Sequence, residues 1–284
     1  MKFILKIIYK YIFFKKYIFL LIRKFFKPTD KIYQHLWFTG FFETKFLNKK
    51  FYIYSLPTVI ENEIFWNGFA KSWEPLSLRI WSSIVNKKKV IFDIGANTGI
   101  YSILSKVFNP RSKVYSFEPN IEFLKAIKKS NHKNLFDINI VDQAVSDKNT
   151  ILNFDGYQIT KKKSNEKVRS TRLDTFIFNQ KIKKVDLIKL DLELHEDKVI
   201  SGMGLYLKKH RPDFLVEVLN DKMAKKLNKL FKGLNYKFLS IDDKYLKLKV
   251  VKKIEKSLYY NVFVCTNASY SLIRRKFKKY FNEI

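Results

Sequence analysis

A chain of 284 residues can bury one substantial α/β core with appendages, and two full domains are disfavoured. Its 46% hydrophobic content, with only 8 Gly and 6 Pro, excludes a disordered, collagen-like or solenoid chain. The formal net charge of +30 attracts polyanions such as nucleic acid, anionic lipid or acidic polysaccharide, and joint over-use of Lys, Ile, Asn, Phe and Tyr is an equally good compositional account of part of it.

Residues 1–27 are aromatic and aliphatic but studded with cations. The uncharged run from Tyr17 to Ile22 is far shorter than the roughly 20 residues a bilayer crossing needs. No small-residue cleavage site follows, which disfavours a secretory signal. On a helical wheel Lys2, Lys6, Lys10, Lys16, Arg23, Lys24 and Lys27 share one broad face, with Lys15 the exception. The expectation is a cationic amphipathic helix in the membrane interface, within a segment 1–30. The plainer alternative is a helix packed on its own domain with solvated lysines. Residues 31–86 read as an aromatic-rich lead-in or cap, with a hairpin strand around Tyr52 and Ile53 and an amphipathic helix over Leu76 to Ile84.

From residue 87 to 284 short apolar runs alternate with helical stretches. Strands are expected at 90–94, 114–118, 138–141, 185–190 and 213–218, and near Phe238 and Val262. Helices are expected over 100–108 and 121–130, after 190, and up to about Phe231. This alternation predicts a Rossmann-like, doubly wound α/β domain: a mostly parallel, seven-stranded sheet with helices on both faces. The polar interval 155–172 reads as a surface loop or weak hairpin. Cys265 stands alone, in the apolar run 261–265, and reads as a buried strand residue. One cysteine excludes an intramolecular disulfide and fits a reducing, cytoplasmic compartment.

Chemistry concentrates at Asp93-Ile94-Gly95-Ala96-Asn97-Thr98-Gly99, where a strand ends and a helix begins. Gly95 allows a sharp turn, Gly99 allows the helix close to the sheet, and freed amides at the helix start would suit a carboxylate. The spacing is not G-x-G-x-x-G, so NAD fits poorly. Glu118 ends the next strand, where a carboxylate can hold two ribose hydroxyls. Together these features point to an adenosine-containing cofactor.

At these residues the chain resembles the FkbM-type methyltransferases, within the Rossmann-like S-adenosylmethionine-dependent enzymes. The resemblance is carried by the blocks at 92–99, 117–120, 144–147 (Ala-Val-Ser-Asp), 171–174 (Thr-Arg-Leu-Asp) and 188–193 (Ile-Lys-Leu-Asp-Leu-Glu), in order across roughly half the chain. It implies that Gly95, Ala96 and Asn97 cradle the methionine portion of S-adenosylmethionine, with Asp93 and Gly99 completing the loop, and that Glu118 binds the ribose. Asn120 is a helper there or an ordinary helix N-cap. The turn from Asp142 to Ala144 is the adenine-contacting segment, with Asp142 either accepting from the adenine amino group or simply solvated.

Asp191 and Glu193 are expected on one face at the end of the fourth strand, the ligand-binding edge of such sheets. A hydroxyl acceptor must lose a proton, and Asp191, Glu193 and His195 are the candidates to take it, with Glu74 more distant. No metal site is assigned, since two carboxylates do not establish one. Leu194 stands where the family has glycine, which puts the acceptor side in question. The expected activity is O-methylation of a hydroxyl on a sugar, glycolipid or cell-surface glycan, at the cytoplasmic membrane face, with an anionic membrane met through residues 1–27. The alternatives are an RNA methyltransferase, which lacks a recognisable RNA-binding module here, and a membrane-associated cofactor-binding protein weakened by Leu194.

Overall fold

The computed structural model describes residues 14–160, 162–256 and 261–281. The chain divides into two compact units, Met1–Trp73 and Glu74–Ile284.

In the first unit, α1 (Lys15–Phe25) and the single turn α2 (Asp30–Tyr33) precede an antiparallel hairpin of β1 (Gly40–Phe46) and β2 (Lys49–Ser55), followed by α3 (Val59–Asn67). The hairpin turns through Leu47 and Asn48, both at positive φ (42° and 68°), which suits the right-handed strand twist. Strand alternation buries Phe42, Phe46, Phe51 and Ile53. Phe38 and Phe42 meet Phe65 edge to face, at ring centroids 4.8 and 5.4 Å apart. α1 joins this aromatic core through Phe19, 5.6 Å from the Trp66 ring, and through Arg23. The Arg23 guanidinium donates to the Phe65 carbonyl and lies 4.6 Å over its ring. Arg23 itself stays exposed, and its guanidinium reaches back along the surface to the ring and carbonyl of Phe65. Lys2, Lys6 and Lys10 lie outside the described residues. Among the described residues no helix is long and apolar enough to cross a membrane.

The second unit opens with α4 (Pro75–Ile84), followed by β3 (Val90–Ile94), α5 (Ile100–Phe108), β4 (Lys113–Phe117), α6 (Ile121–Lys133) and β5 (Asn139–Val141). Then come β6 (Ala144–Ser146), β7 (Thr150–Phe154), β8 (Glu166–Arg172), α7 (Leu173–Asn179), β9 (Leu187–Leu190), α8 (Glu196–Ser201) and α9 (Leu205–His210). The unit closes with β10 (Asp213–Glu217), α10 (Asp221–Phe231), β11 (Lys237–Asp242), β12 (Lys247–Val251), β13 (Asn261–Cys265) and α11 (Asn267–Lys276).

The main sheet has eight strands in the order β12-β11-β13-β10-β9-β3-β4-β5, one more than expected. β13 and β12 run against the other six, as their antiparallel pairings with β10 and β11 require. The added strand is β12, which folds back on β11 through a turn where Asp242 accepts from the Tyr245 amide. Its alternation of lysine and apolar residues lacks the continuous apolar run that marked the other strands. Phe92, Ile94, Ile188, Leu190, Phe214 and Val216 look to one side, where α7, α8, α9 and α10 supply Phe176, Val199, Leu207 and Leu227 to one buried cluster. On the other side α4 and α5 are tied by the Trp81 indole, which donates to Ser105 Oγ at 2.9 Å. A second sheet, β6-β8-β7, forms from residues 144–172: the interval 155–172, expected as a loop or weak hairpin, ends in β8, which pairs antiparallel with β7 and parallel with β6.

Candidate functional site

The β3–α5 loop is fixed by close approach of two backbones. Gly95 sits at φ 74°, and a Cβ there would lie 2.0 Å from the Asp191 carbonyl oxygen, so only glycine lets β3 and the end of β9 meet. Gly99, at φ 85°, faces Ile127 of α6 at a distance that would leave a Cβ 2.9 Å away. The expectation of free amides here is corrected. Gly95 and Ala96 both donate to the Phe117 carbonyl at 3.1 Å, and Gly99 donates to Ala96 at 2.8 Å. Thr98 donates to the side chain of Asn97 at 2.8 Å. The loop closes on itself because β4 lies alongside and offers its last carbonyl.

Glu118, directly after β4, is 5% exposed. Its Oε2 accepts from the Asn97 amide and its Oε1 from the Asn120 amide, both at 2.8 Å. Burial pushes its carboxyl up to about 7, against the pull of those two amides. A carboxylate has about four acceptor positions, so two amides leave room for two hydroxyl donors. That is what a ribose diol needs, and the donor set fits an adenosine cofactor. The Glu118 amide donates to Val141 at 3.1 Å, which brings the end of β5 alongside. Asp142 follows there, exposed, and Ala144 is buried.

Two of the expected cofactor residues serve the frame. Asp93 is 1% exposed; its Oδ2 accepts from both the amide and the hydroxyl of Ser102, at 2.8 and 2.7 Å, which pins the first turn of α5. Burial raises its carboxyl to about 6. Asn120 caps α6, accepting from Glu122 and Phe123, while its Nδ2 donates to Gly156 at 2.7 Å. Both ends of its side chain are engaged, and its backbone amide is what reaches Glu118.

The acid cluster beyond β9 differs from a continued strand. β9 ends at Leu190, and Glu193 and Leu194 turn left-handed at φ 49° and 76°. Strand alternation therefore does not carry Asp191 and Glu193 onto one face; Glu193 is exposed, and the turn keeps the glycine-like conformation although leucine occupies it. Asp191 pairs with Lys189 at 3.1 Å, and Lys189 is 1% exposed with its ammonium 5.0 Å from the Tyr101 ring. Burial alone would lower Lys189, but Asp191, Glu74 and Glu217 around it raise it instead. Tyr101 and Asn261 both donate to Glu74, whose carboxyl is raised by burial despite Lys189 nearby. Burial and then Asp191 push Glu217 far up as well. His195 goes elsewhere: its Nε2 lies 2.9 Å from Ser146 Oγ on β6, and burial lowers its basicity. Glu196 holds the turn by accepting from the Leu192 amide at 3.0 Å, with burial raising it to about 7.

The structure thus brings Gly95, Asp191 and Glu74 together and leaves Glu193 and His195 at the margin. Sequence reasoning missed Lys189, Tyr101, Glu217 and Asn261. Lys189 was visible as a cation inside an apolar strand, and Glu217 as an acid ending the next one; Tyr101 and Asn261 gave no signal.

A comparison with curated proteins gives no match. The model of the methyltransferase FkbM domain matches residues 93–238, just over half the chain. Among solved structures, the chain is similar to a methyltransferase FkbM from Methylobacillus flagellatus KT, at 12% identity and TM-score 0.41, over 63% of this chain and 44% of that one. It is similar to a precorrin-6y C5,15-methyltransferase from Geobacter metallireducens GS-15, at 10% identity and TM-score 0.42, over 68% of this chain and 88% of that one. It is also similar to a Pyrococcus abyssi tRNA (uracil-54, C5)-methyltransferase in complex with S-adenosyl-L-homocysteine, at 12% identity and TM-score 0.42, over 80% of this chain and 44% of that one. The chain spans less than half the length of the first and third of these structures. Because the domain match runs through the glycine loop, Glu118 and the Lys189–Asp191 pair, the chain belongs to the FkbM methyltransferases, enzymes that use S-adenosylmethionine.

Proposed function

We propose that the chain methylates a hydroxyl of a sugar, glycolipid or related cell-surface glycan, with the acceptor held beside Asp191. The observation that supports this reading most is the cluster of Glu74, Asp191 and Glu217 around the buried Lys189, next to the Gly95 loop. When bound, S-adenosylmethionine supplies an electrophilic methyl group on a sulfonium, so the protein's part is to align the acceptor and remove its proton. Glu118 would hold the ribose hydroxyls, the loop from Gly95 to Gly99 would take the methionine portion, and Asp142 with Ala144 would meet the adenine. Asp191 takes the acceptor proton, ahead of Glu193, which is exposed, and His195, which is turned to Ser146. Asp93 and Asn120 fix the frame that aims Glu118. The same reading sets residues 1–27 against an anionic membrane surface, where glycolipid acceptors reside.

Calorimetric titration with S-adenosylmethionine and S-adenosylhomocysteine tests the cofactor half. Binding in the micromolar range is expected, lost in Glu118→Ala and weakening as pH falls through about 7, where Glu118 gains its proton. Labelled methyl groups are then followed onto glycolipid and RNA acceptors. Transfer to RNA, or no binding by folded protein, overturns the proposal.

A further inference from the structure

Among the described residues, the packing of the first unit leaves one side of α1 uncovered. Phe19 is buried in its aromatic core and the Arg23 guanidinium lies on the Phe65 ring, whereas Phe14, Tyr17, Leu21 and Phe25 are 61–78% exposed. Their spacing in the helix sets them on one stripe. After α1 the chain turns back, and Phe26, Pro28, Ile32 and Leu36 close an almost wholly apolar groove of about 440 Å³ against Leu21 and Phe25. Exposed apolar surface of this extent and continuity marks a contact site.

The surrounding charge selects its occupant. Residues 14–36 hold six cations (Lys15, Lys16, Arg23, Lys24, Lys27 and Lys31) and a single acid, Asp30. A second copy of the chain would bring the same cations against these. An anionic bilayer brings phosphates to the lysines and acyl chains to the rings, and long lysine stems reach outward to the headgroups while the rings sit lower.

We propose that the outer stripe of α1 and the groove behind it form a monotopic insertion surface, with one acyl chain of an anionic lipid lodged in the groove. This rests on the membrane reading of residues 1–27 and adds which side of the helix enters the bilayer: the stripe of Phe14, Tyr17, Leu21 and Phe25, with the Arg23 guanidinium held on the Phe65 ring.

The test is co-sedimentation of the full chain with phosphatidylcholine vesicles, with and without phosphatidylglycerol. Native protein is expected to bind the anionic vesicles and to release with salt. The double variant Leu21→Glu, Phe25→Glu is expected to bind at least about tenfold more weakly, since two large side chains are kept out of the lipid. Its titration with S-adenosylmethionine should match the native chain. The indole introduced by Phe25→Trp is expected to be quenched by lipids brominated on their acyl chains, beyond any quenching of the native chain. That readout does not depend on the double variant folding. Native binding with an unaffected double variant, or no added quenching in Phe25→Trp, overturns the insertion surface and leaves the membrane reading standing. No vesicle binding by the native chain overturns both. A native dimer that the double variant splits assigns the face to a second copy and overturns the lipid.

Discussion

Leu194 holds a backbone conformation, φ 76°, that suits glycine, with its side chain 46% exposed. A left-handed residue with a Cβ costs about 1–2 kcal/mol, of which glycine's freer unfolded chain returns roughly half. Leu194→Gly is therefore expected to stabilise the protein by about 0.5–1 kcal/mol in urea unfolding. Unchanged or lower stability would show that the leucine side chain contributes packing that its exposure hides. At this scale the sequence was legible wherever a residue type has few uses: Gly95 and Glu118 stand where the strand–loop–helix reading put them. It was illegible where a side chain had several partners to choose from. His195 lies next to the acid pair in sequence, yet the left-handed turn at Glu193 and Leu194 sends its ring to Ser146.

The junction of β3 with β9 is the tightest point between elements. Gly95→Ala forces a Cβ into the Asp191 carbonyl, backbone against backbone, so neither side can yield by changing a rotamer. A loss of at least about 3 kcal/mol in denaturant unfolding is expected, together with loss of S-adenosylmethionine binding. A near-native variant would mean that the two strand ends separate freely. The buried strands could be read from sequence because both of their faces are covered, which leaves unbroken apolar runs such as Phe214-Leu215-Val216. β8 and β12 could not, since polar and charged residues such as Arg169 and Lys249 interrupt them and only pairing with neighbours makes them strands.

Across the whole molecule, burial holds Asp93 at about 6 and both Glu118 and Glu196 at about 7, with Glu74 and Glu217 raised too. Each binds its proton more tightly folded than unfolded, so the stability it contributes is complete below the ordinary carboxylate range and is lost as pH rises through its folded value. His195 and His210, lowered by burial, act in the opposite sense but are fewer. The melting temperature is expected to be higher at pH 5.5 than at pH 8, checked by calorimetry at constant ionic strength; a rise toward pH 8 would refute the balance. The outer edge of the main sheet, where Leu248 of β12 bridges to Phe281, has a different bearing on charge. β12 ends the strand order, and Lys247 and Lys249 are exposed at alternate positions along it. A second backbone approaching that edge to pair would have to displace Phe281 and lie among ammonium groups, so the sheet stops growing there. Part of the +30 thus keeps copies of the protein from aggregating, a use that needs no polyanion at all.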